Sequence, residues 1–236
     1  MISFPPDVFR RGMVKLYESG YRTISLLEAA SCLHAAGAFP DRSLVITFDD
    51  GYRSVYEEAF PTLDRYGMSA TIFLAAGERK APKPNAHLPS LNSSPMLSWA
   101  EIGEMYKSGI HFGAHTLTHP DLTRLSVDRL VAEVSESKAI VESFLGGPVG
   151  CFAYPYGRHD RRTREIVEQY FTCACTDTLA MVTAKSDPYS LQRVDAYYLR
   201  SDWLFNLVLT GIFPCYVKLR AIPRHIRRAL QHGSKR

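Results

Sequence analysis

The sequence lacks the signatures of several protein classes. Its five cysteines form no CxxC pair, which argues against a zinc-thiolate site and gives no support to a disulfide framework. No uncharged apolar run reaches the roughly 18 to 20 residues of a membrane span. The nearest candidate, 203–217, is shorter and is interrupted by Gly211 and Pro214. The first residues contain neither the basic part nor the long apolar part of a secretory signal.

The length and composition of the chain are those of a single folded domain. The chain has 236 residues, of which 46% are apolar and 22% are charged, and this is enough to bury a sizeable core. Cys173 and Cys175 stand at strand spacing, which predicts that they share one face of a buried strand. Free thiols and the missing signal favour a cytoplasmic location. The inner face of the membrane is the alternative setting.

The positive charge is concentrated at the carboxy terminus. Residues 216–236 carry seven Lys and Arg and no acidic residue, so the first 215 residues have a net charge of −3 within the total of +4. The apolar stretch 203–217 and the basic stretch that follows it allow two interpretations. In the first interpretation the two stretches attach the protein to an anionic membrane surface. In the second, the apolar stretch closes the domain and the basic tail is solvated. We favour the second. No nucleic-acid motif accompanies the charge, so no nucleic-acid partner is predicted.

Strand and helix patterns alternate at least five times along the chain. Strands are predicted at 44–48, 70–74, 110–114, 151–154 and 171–176, and helices at 9–17, 26–35, 55–66, 98–109, 126–145 and 161–170. This alternation predicts an α/β fold with a parallel sheet and covering helices, either a barrel or a doubly wound layer. In such folds the chemistry gathers at the carboxyl ends of the strands. The proline-rich segment 77–97 is predicted to be a long functional or mobile loop.

Two adjacent carboxylates, Asp49 and Asp50, follow the first of these strands. At a strand end the backbone bends, so both side chains can reach one cleft. Two carboxylates this close repel each other unless a cation is near. One alternative is a simple turn at Asp50-Gly51 with Asp49 capping the next helix. Another is a magnesium site for phosphoryl transfer.

A pair of histidines, His115 and His119, follows the third strand. Pro120 disfavours a helical conformation at His119, so we expect a short turn in which both rings converge. Two imidazoles and one carboxylate make a three-ligand metal site with an open position for water, and zinc suits this donor set. With the aspartates in an equivalent topological place, we prefer the ligand interpretation over two structural histidines.

The third segment is Tyr154-Pro155-Tyr156-Gly157, at the end of the fourth strand. Its proline and glycine predict a tight turn that presents an aromatic ring and backbone N–H groups to the cleft, where an N–H could hold an oxyanion. We therefore place Tyr154, Pro155 and Tyr156 among the substrate-binding residues. Without context, such a string is more often an ordinary turn.

The motifs TFDDG at 47–51, HTLTH at 115–119 and FAYPYG at 152–157, in this order and spacing, resemble the first three motifs of the polysaccharide deacetylase family, also called the NodB-homology family. The resemblance covers about residues 7–200. We therefore divide the chain into a catalytic domain over 1–200 and a C-terminal segment over 201–236, apolar and then basic. The resemblance implies a distorted or incomplete (β/α) barrel that removes N-acetyl groups from sugars with a divalent metal, for which we expect Zn²⁺.

The resemblance also implies roles for individual residues. Asp49 matches the general base of the family, and Asp50, His115 and His119 match its metal ligands. Tyr156 matches the residue whose backbone N–H helps to form the oxyanion hole.

Two departures from the family pattern stand out. Ala153 occupies the place of an arginine that orients the base in many members. Arg193, after a later strand, resembles the arginine that other members use instead, and its alternative is an ordinary surface residue. We find no clear Leu-x-His motif, which usually supplies the general acid, near the end of the catalytic domain. His159 lies close enough in sequence to be a candidate for that role, but we favour an ordinary loop residue, so the general acid is unassigned. The family also has a strand before the first helix, so we expect the barrel to be incomplete.

The predicted function is a metal-dependent hydrolase that de-N-acetylates a saccharide, with an N-acetylated polysaccharide, oligosaccharide or lipid-linked sugar as its partner. The alternative is a carbohydrate-binding or scaffold module that has kept the metal site and lost catalysis. Phosphoryl transfer lacks both a Gly-rich phosphate loop and a Walker-type lysine.

Overall fold

The computed structural model describes residues 4–35, 37–77 and 83–222. Its main feature is a six-stranded parallel sheet whose strands follow one another in chain order. Those strands are β3 (Thr47–Phe48), β4 (Thr71–Leu74), β5 (His111–Ala114), β6 (Cys151–Ala153), β7 (Cys173–Leu179) and β8 (Leu191–Arg193). A separate parallel pair joins β1 (Arg22–Thr23) to β2 (Ser43–Leu44). The sheet curls into a half-barrel, which confirms the predicted barrel-like α/β fold.

Helices alternate with these strands and cover the sheet. They are α1 (Pro6–Glu18), α2 (Leu26–His34), α3 (Phe60–Arg65), α4 (Trp99–Lys107), α5 (Val127–Leu145), α6 (Arg161–Tyr170) and α7 (Asp202–Asn206), followed by helical residues 213–222. Local signals set their ends. Ser25 and Ser98 each form a reciprocal capping box with a glutamate three positions on, and Gly146 ends α5 in the left-handed conformation.

Two predicted elements differ from the structure. The strand expected at 44–48 is divided into β2 and β3, because the chain pairs first with β1 and then with β4. The helix expected at 55–66 begins with a π-helical turn, Val55–Ala59, in which the Phe60 N–H donates to the Val55 carbonyl. Pro61 follows at once and has no N–H to continue a regular helical ladder. α3 therefore occupies only the second half of the predicted helix.

The core lies on both faces of the sheet, as the alternation of side chains in a strand requires. In β4, Ile72 packs into the large cluster shared with the helices, and Phe73 packs into a smaller one on the opposite face. Cys173 and Cys175 are both buried in that smaller cluster, which confirms their shared face. All five cysteines are free thiols.

The segment after residue 200 packs against the domain. Asp202 in α7 forms an ion pair with Arg11 of α1 at 3.0 Å. One face of the helical residues 213–222 is buried with Leu179 and Tyr198, whereas Ile222 on another face is half exposed. Across the ranges that the structure describes, no helix has both the length and the apolarity needed to cross a bilayer. The basic tail at 223–236, which carries most of the membrane hypothesis, lies outside the described residues.

Candidate active site

Three potential metal ligands converge at the carboxyl edge of the sheet. Asp50 follows β3, and His115 and His119 follow β5. The Nε2 atoms of the two imidazoles are 3.2 Å apart. The Oδ1 atom of Asp50 lies 3.4 Å from His115 Nε2 and 3.3 Å from His119 Nε2. The structure therefore brings together the three side chains that the sequence predicted as ligands.

The tautomer of His115 is set by its second nitrogen. His115 Nδ1 lies 2.7 Å from the backbone carbonyl of Ala153 in β6. A carbonyl only accepts hydrogen bonds, so Nδ1 carries the proton and Nε2 keeps its lone pair for a metal. Burial, followed by the neighbouring His115, holds the pKa of His119 below its ordinary value. The His119 ring therefore favours the neutral form that a metal ligand requires.

The donor set fits a divalent cation. Asp50 Oδ1 is buried, yet it accepts no hydrogen bond of acceptable geometry within the described part of the chain. A buried carboxylate oxygen without a donor is costly, and a cation at this point would satisfy it. The three ligand atoms lie within 4.8 Å of one another. Two imidazoles and one carboxylate make a donor set that could hold a divalent metal ion.

Asp49 has entirely different surroundings. Arg193, at the end of β8, donates two parallel hydrogen bonds to it, each of 2.8 Å. The same guanidinium donates to the Thr47 hydroxyl at 3.1 Å and to the Thr176 carbonyl at 2.9 Å. Because β3 and β8 are the two edge strands of the sheet, this ion pair spans the opening of the half-barrel.

The ion pair keeps Asp49 charged. Burial alone would raise the pKa of Asp49, but the charge and hydrogen bonds of Arg193 outweigh it and lower the pKa to about 2. Burial likewise opposes the charge on Arg193, and the pairing with Asp49 leaves the pKa of this arginine raised. Asp49 is therefore an oriented carboxylate beside the ligand group, with no proton to give up at neutral pH.

The backbone of the site is strained. Six non-glycine residues in the described ranges have a positive φ, and four of them lie in the three motifs. They are Asp50 at 73°, Thr116 at 70°, His119 at 57° and Tyr156 at 57°. L-residues rarely adopt this region, and such strain concentrates at functional sites where the surrounding structure holds it in place. The short turn expected between the two histidines is therefore present, in a left-handed form at both ends.

The third motif forms the tight turn that the sequence predicted. Pro155–Gly157 make a single 3₁₀ turn after β6, with the Tyr156 ring 56% exposed and 4.7 Å from the His119 ring. Tyr154 is buried and its hydroxyl donates to the Tyr189 carbonyl at 3.1 Å. Pro155 is buried in the turn and does not line the cavity, in contrast to Tyr154 and Tyr156.

A cavity of about 360 Å³ unites these groups, and sequence reasoning missed part of its wall. The unexpected lining residues are Tyr52, Leu91, Asn92 and Asp177. Asp177 lies near the carboxyl end of β7, so the rule that selected Asp49 and His115 could also have found it. Asn92 comes from the long loop and donates to the Tyr52 hydroxyl at 3.1 Å, a contact that no sequence pattern indicates.

His159 occupies a different environment from the one a general acid would need. Its ring stacks on Tyr154 with centroids 4.6 Å apart. Burial lowers the pKa of His159, and its Nδ1 finds no hydrogen-bond partner among the described residues. His159 is not part of the cavity wall, which agrees with the preference for a loop residue.

Sequence comparison relates this chain to known proteins. The family model described as polysaccharide deacetylase matches residues 36–171. The Bacillus subtilis protein YxkH, named after the same family, is 28% identical over 191 residues, which are 80% of this chain and 64% of YxkH. A poly-beta-1,6-N-acetyl-D-glucosamine N-deacetylase of Staphylococcus aureus is 31% identical over 130 residues, 51% of this chain and 42% of the relative. The chain thus spans less than two thirds of each relative.

A solved structure supports the same grouping. The Streptococcus pyogenes deacetylase PplD, in complex with acetate, superimposes with a TM-score of 0.73 and 26% sequence identity. The match covers 82% of this chain and 83% of PplD.

Proposed function

Because the chain belongs to the polysaccharide deacetylase family, we propose that it hydrolyses N-acetyl groups of a saccharide with the help of a divalent metal ion. The observation that carries this proposal is the juxtaposition of two groups in one cavity: the three convergent donors and the ion-paired Asp49. The match to a named poly-N-acetylglucosamine deacetylase and the likeness to a deacetylase solved with acetate support the reaction class.

Each residue has a distinct part in the proposed reaction. Asp50, His115 and His119 would hold the cation, for which Zn²⁺ is the candidate. A bound cation supplies Lewis acidity, which lowers the pKa of water and polarises the acetyl carbonyl. Asp49 accepts the proton of the attacking water, and Arg193 keeps its carboxylate ionised and aimed.

The developing charge and the leaving group need further partners. The backbone N–H of Tyr156 is the proposed donor to the tetrahedral oxyanion, held by the turn at Pro155. Tyr154 and Tyr156 would contact the sugar. The departing amine must be protonated, since an amide anion leaves poorly. The proton that Asp49 takes from the attacking water can be delivered to this amine, and Asp177 is the further carboxylate in the cavity wall that could relay it.

The size of the cavity bears on the substrate. At about 360 Å³ it lies at the lower end of small-molecule sites, with room for one sugar unit. An N-acetylhexosamine within a longer chain fits this description, with its neighbours lying outside the cavity. We propose an N-acetylated polysaccharide or oligosaccharide, with a lipid-linked sugar as the variant to compare.

The test is the release of acetate and the appearance of a free amine from N-acetylglucosamine oligomers. The protein should be assayed as isolated, after chelation, and after Zn²⁺ or Co²⁺ is restored. Hydrolysis that disappears on chelation and returns with metal is the expected result. Oligomer binding without acetate release at any metal would instead support the catalytically impaired binding module.

Although the sequence alone favours a solvated tail, the exposed apolar side chains near the end of the described chain lead us to infer a peripheral contact between the C-terminal segment, 201–236, and an anionic membrane. Three apolar side chains on or beside the helical residues 213–222 point to solvent: Ile212 is 61% exposed, Leu219 66% and Ile222 52%. Residues 203–236 contain no Asp or Glu, so every Lys and Arg in this part of the sequence adds positive charge that no acidic residue of the same stretch offsets. An apolar face bordered by Lys and Arg suits the headgroup region of an anionic bilayer.

Vesicle flotation tests the membrane contact. The protein should float with phosphatidylserine vesicles and remain behind with phosphatidylcholine vesicles. Leu219→Glu should abolish flotation, and Val127→Glu, at a half-exposed apolar residue on α5, is the matched control. Concentration-dependent self-association that Leu219→Glu removes, without flotation, would assign the surface to a second copy instead.

A further inference from the structure

A buried carboxylate outside the cavity wall contacts the loop that carries both histidines. Glu133 lies in α5 and, at 1% exposure, is the least exposed acidic residue within the described part of the chain. Glutamate is rarely buried unless its oxygens are satisfied. The partners of this side chain therefore indicate what the carboxylate is for.

All of the close hydrogen bonds of Glu133 go to the segment between the two histidines. Its Oε2 accepts the backbone N–H groups of Leu117 and Thr118, each at 2.9 Å. Its Oε1 accepts the Thr118 hydroxyl at 2.7 Å. Arg129 lies one helical turn away at 3.6 Å and is mostly exposed. Hydrogen bonds to a charged acceptor are about twice as strong as neutral ones, so this is a firm attachment.

The loop needs such a restraint. Thr116 and His119 both have a positive φ, so the conformation that turns the two imidazoles toward each other is strained at both ends. One bond inside the loop, from the His119 N–H to the Thr116 hydroxyl at 3.0 Å, helps to hold it. The three hydrogen bonds that Glu133 accepts come from the residues between these two strained positions, and they hold the loop against the long helix α5.

We propose that Glu133 is a positioning residue, whose carboxylate fixes the loop so that His115 and His119 present their Nε2 atoms to one cation. This inference rests on the proposed metal-dependent function. Glu133 touches neither the ligand atoms nor the cavity, and it acts through the backbone of Leu117 and Thr118. Removing it should therefore weaken metal binding without removing a ligand.

The experiment measures Co²⁺ affinity by calorimetry and ligand geometry by the visible absorption of bound Co²⁺, together with urea unfolding. Glu133→Ala should weaken Co²⁺ binding by about 10- to 100-fold, the usual cost of losing a partner that orients the ligands, and should change the Co²⁺ spectrum. Glu133→Gln should stay close to the parent, since the amide oxygen can accept both N–H groups and the NH₂ can donate to the Thr118 hydroxyl.

A matched control separates positioning from general stability. Glu142, on the same helix, accepts the backbone N–H of Val149 at 2.8 Å, far along the chain from the histidines. Glu142→Ala should reduce the urea midpoint and leave Co²⁺ affinity unchanged. If Glu133→Ala fails to fold, Thr118→Val removes a single bond and should weaken Co²⁺ binding by several-fold, with Thr118→Ser restoring it.

Two outcomes would overturn the inference in distinguishable ways. Parental Co²⁺ affinity and spectrum in both Glu133→Ala and Thr118→Val would remove Glu133 from a positioning role and leave the proposed function intact. A parent protein that binds no Co²⁺ at all would overturn the metal-dependent function and this inference with it.

Discussion

Asp49 and Asp50 are adjacent and chemically identical, yet they belong to two different halves of the site. Asp49 is held by Arg193 through two hydrogen bonds of 2.8 Å, so its oxygens are already satisfied. Asp50 turns through a positive φ toward two imidazole nitrogens, and its buried Oδ1 has no donor among the described residues. One carboxylate is already paired with an arginine, and the other has a buried oxygen that a cation could satisfy.

The difference shows how surroundings divide two equal side chains into separate tasks. A carboxylate whose pKa is lowered by an arginine keeps its negative charge and its direction, which suits a group that receives a proton. A carboxylate grouped with two imidazoles suits metal binding. The two tasks also depend on different parts of the sheet. The Asp49–Arg193 ion pair joins the ends of the edge strands β3 and β8, and the cluster of Asp50, His115 and His119 joins the end of β3 to the end of β5.

The largest loss of metal binding and activity is expected from a substitution in the proposed ligand group. Asp50→Asn removes the negative charge facing the two imidazoles, so Co²⁺ affinity should fall by more than about 100-fold, beyond the usual cost of an outer partner. Acetate release should fall to background. Calorimetry and the acetate assay measure both. An Asp50→Asn protein that binds Co²⁺ as the parent does would contradict the division of tasks.

The neighbouring substitution should separate binding from turnover. Asp49→Asn keeps the shape of the side chain and removes the proton acceptor, so turnover should decrease by about 10² to 10⁴, the span typical of a general base. Co²⁺ affinity should change little, since Asp49 is outside the ligand group. Asp64→Asn, an exposed aspartate in α3, is the control for an unspecific loss of charge. A near-normal rate would exclude Asp49 as the base.

A smaller effect, with a pH signature, is expected at Arg193. In Arg193→Met the largest influence opposing the burial of Asp49 is lost, so the pKa of that carboxyl should rise from about 2. A base acts only when ionised, and activity falls as the pH drops through its pKa. The acid limb of kcat/KM should therefore move to higher pH, with a loss of about 10- to 100-fold near neutrality.

Arg193→Lys refines that prediction. Lysine keeps the charge and loses the paired geometry, so it should shift the acid limb less than methionine does. An acid limb that stays in place in both variants would show that Arg193 does not control the base.

Much of this site was predictable because a simple rule applies to parallel sheets. Asp49, Asp50, His115 and Tyr156 follow strands directly, and the carboxyl ends of such strands meet at one edge. Arg193 was found through the family resemblance. Its contact with Asp49 joins residues 144 positions apart and depends on how far the sheet curls. No local pattern carries that information.

The unpredicted residues fall into two physical groups. Asp177 lies near the carboxyl end of β7, so the position of this residue could be predicted from the sequence. Leu91 and Asn92 come from a long loop whose path is set by distant pairings, such as the antiparallel bridge between Tyr52 and Met96. The contacts of Glu133 could not be predicted either, because an acidic residue in an amphipathic helix gives no sign in the sequence that it faces inward. Local propensity thus locates the strand ends and leaves loop paths and buried partners to tertiary packing.

The smallest expected effect tests whether the third motif acts through its backbone or its side chain. The Tyr156 hydroxyl is at the limit of hydrogen bonding, 3.5 Å from the His119 carbonyl, and the ring is 56% exposed. The proposed oxyanion donor is the N–H, which Tyr156→Phe retains. This variant should keep kcat/KM within about threefold of the parent, because a bond this long contributes little. Steady-state assays on N-acetylglucosamine oligomers measure kcat/KM. A 100-fold loss of kcat/KM would show that Tyr156 acts through its phenol hydroxyl and not through its backbone N–H alone.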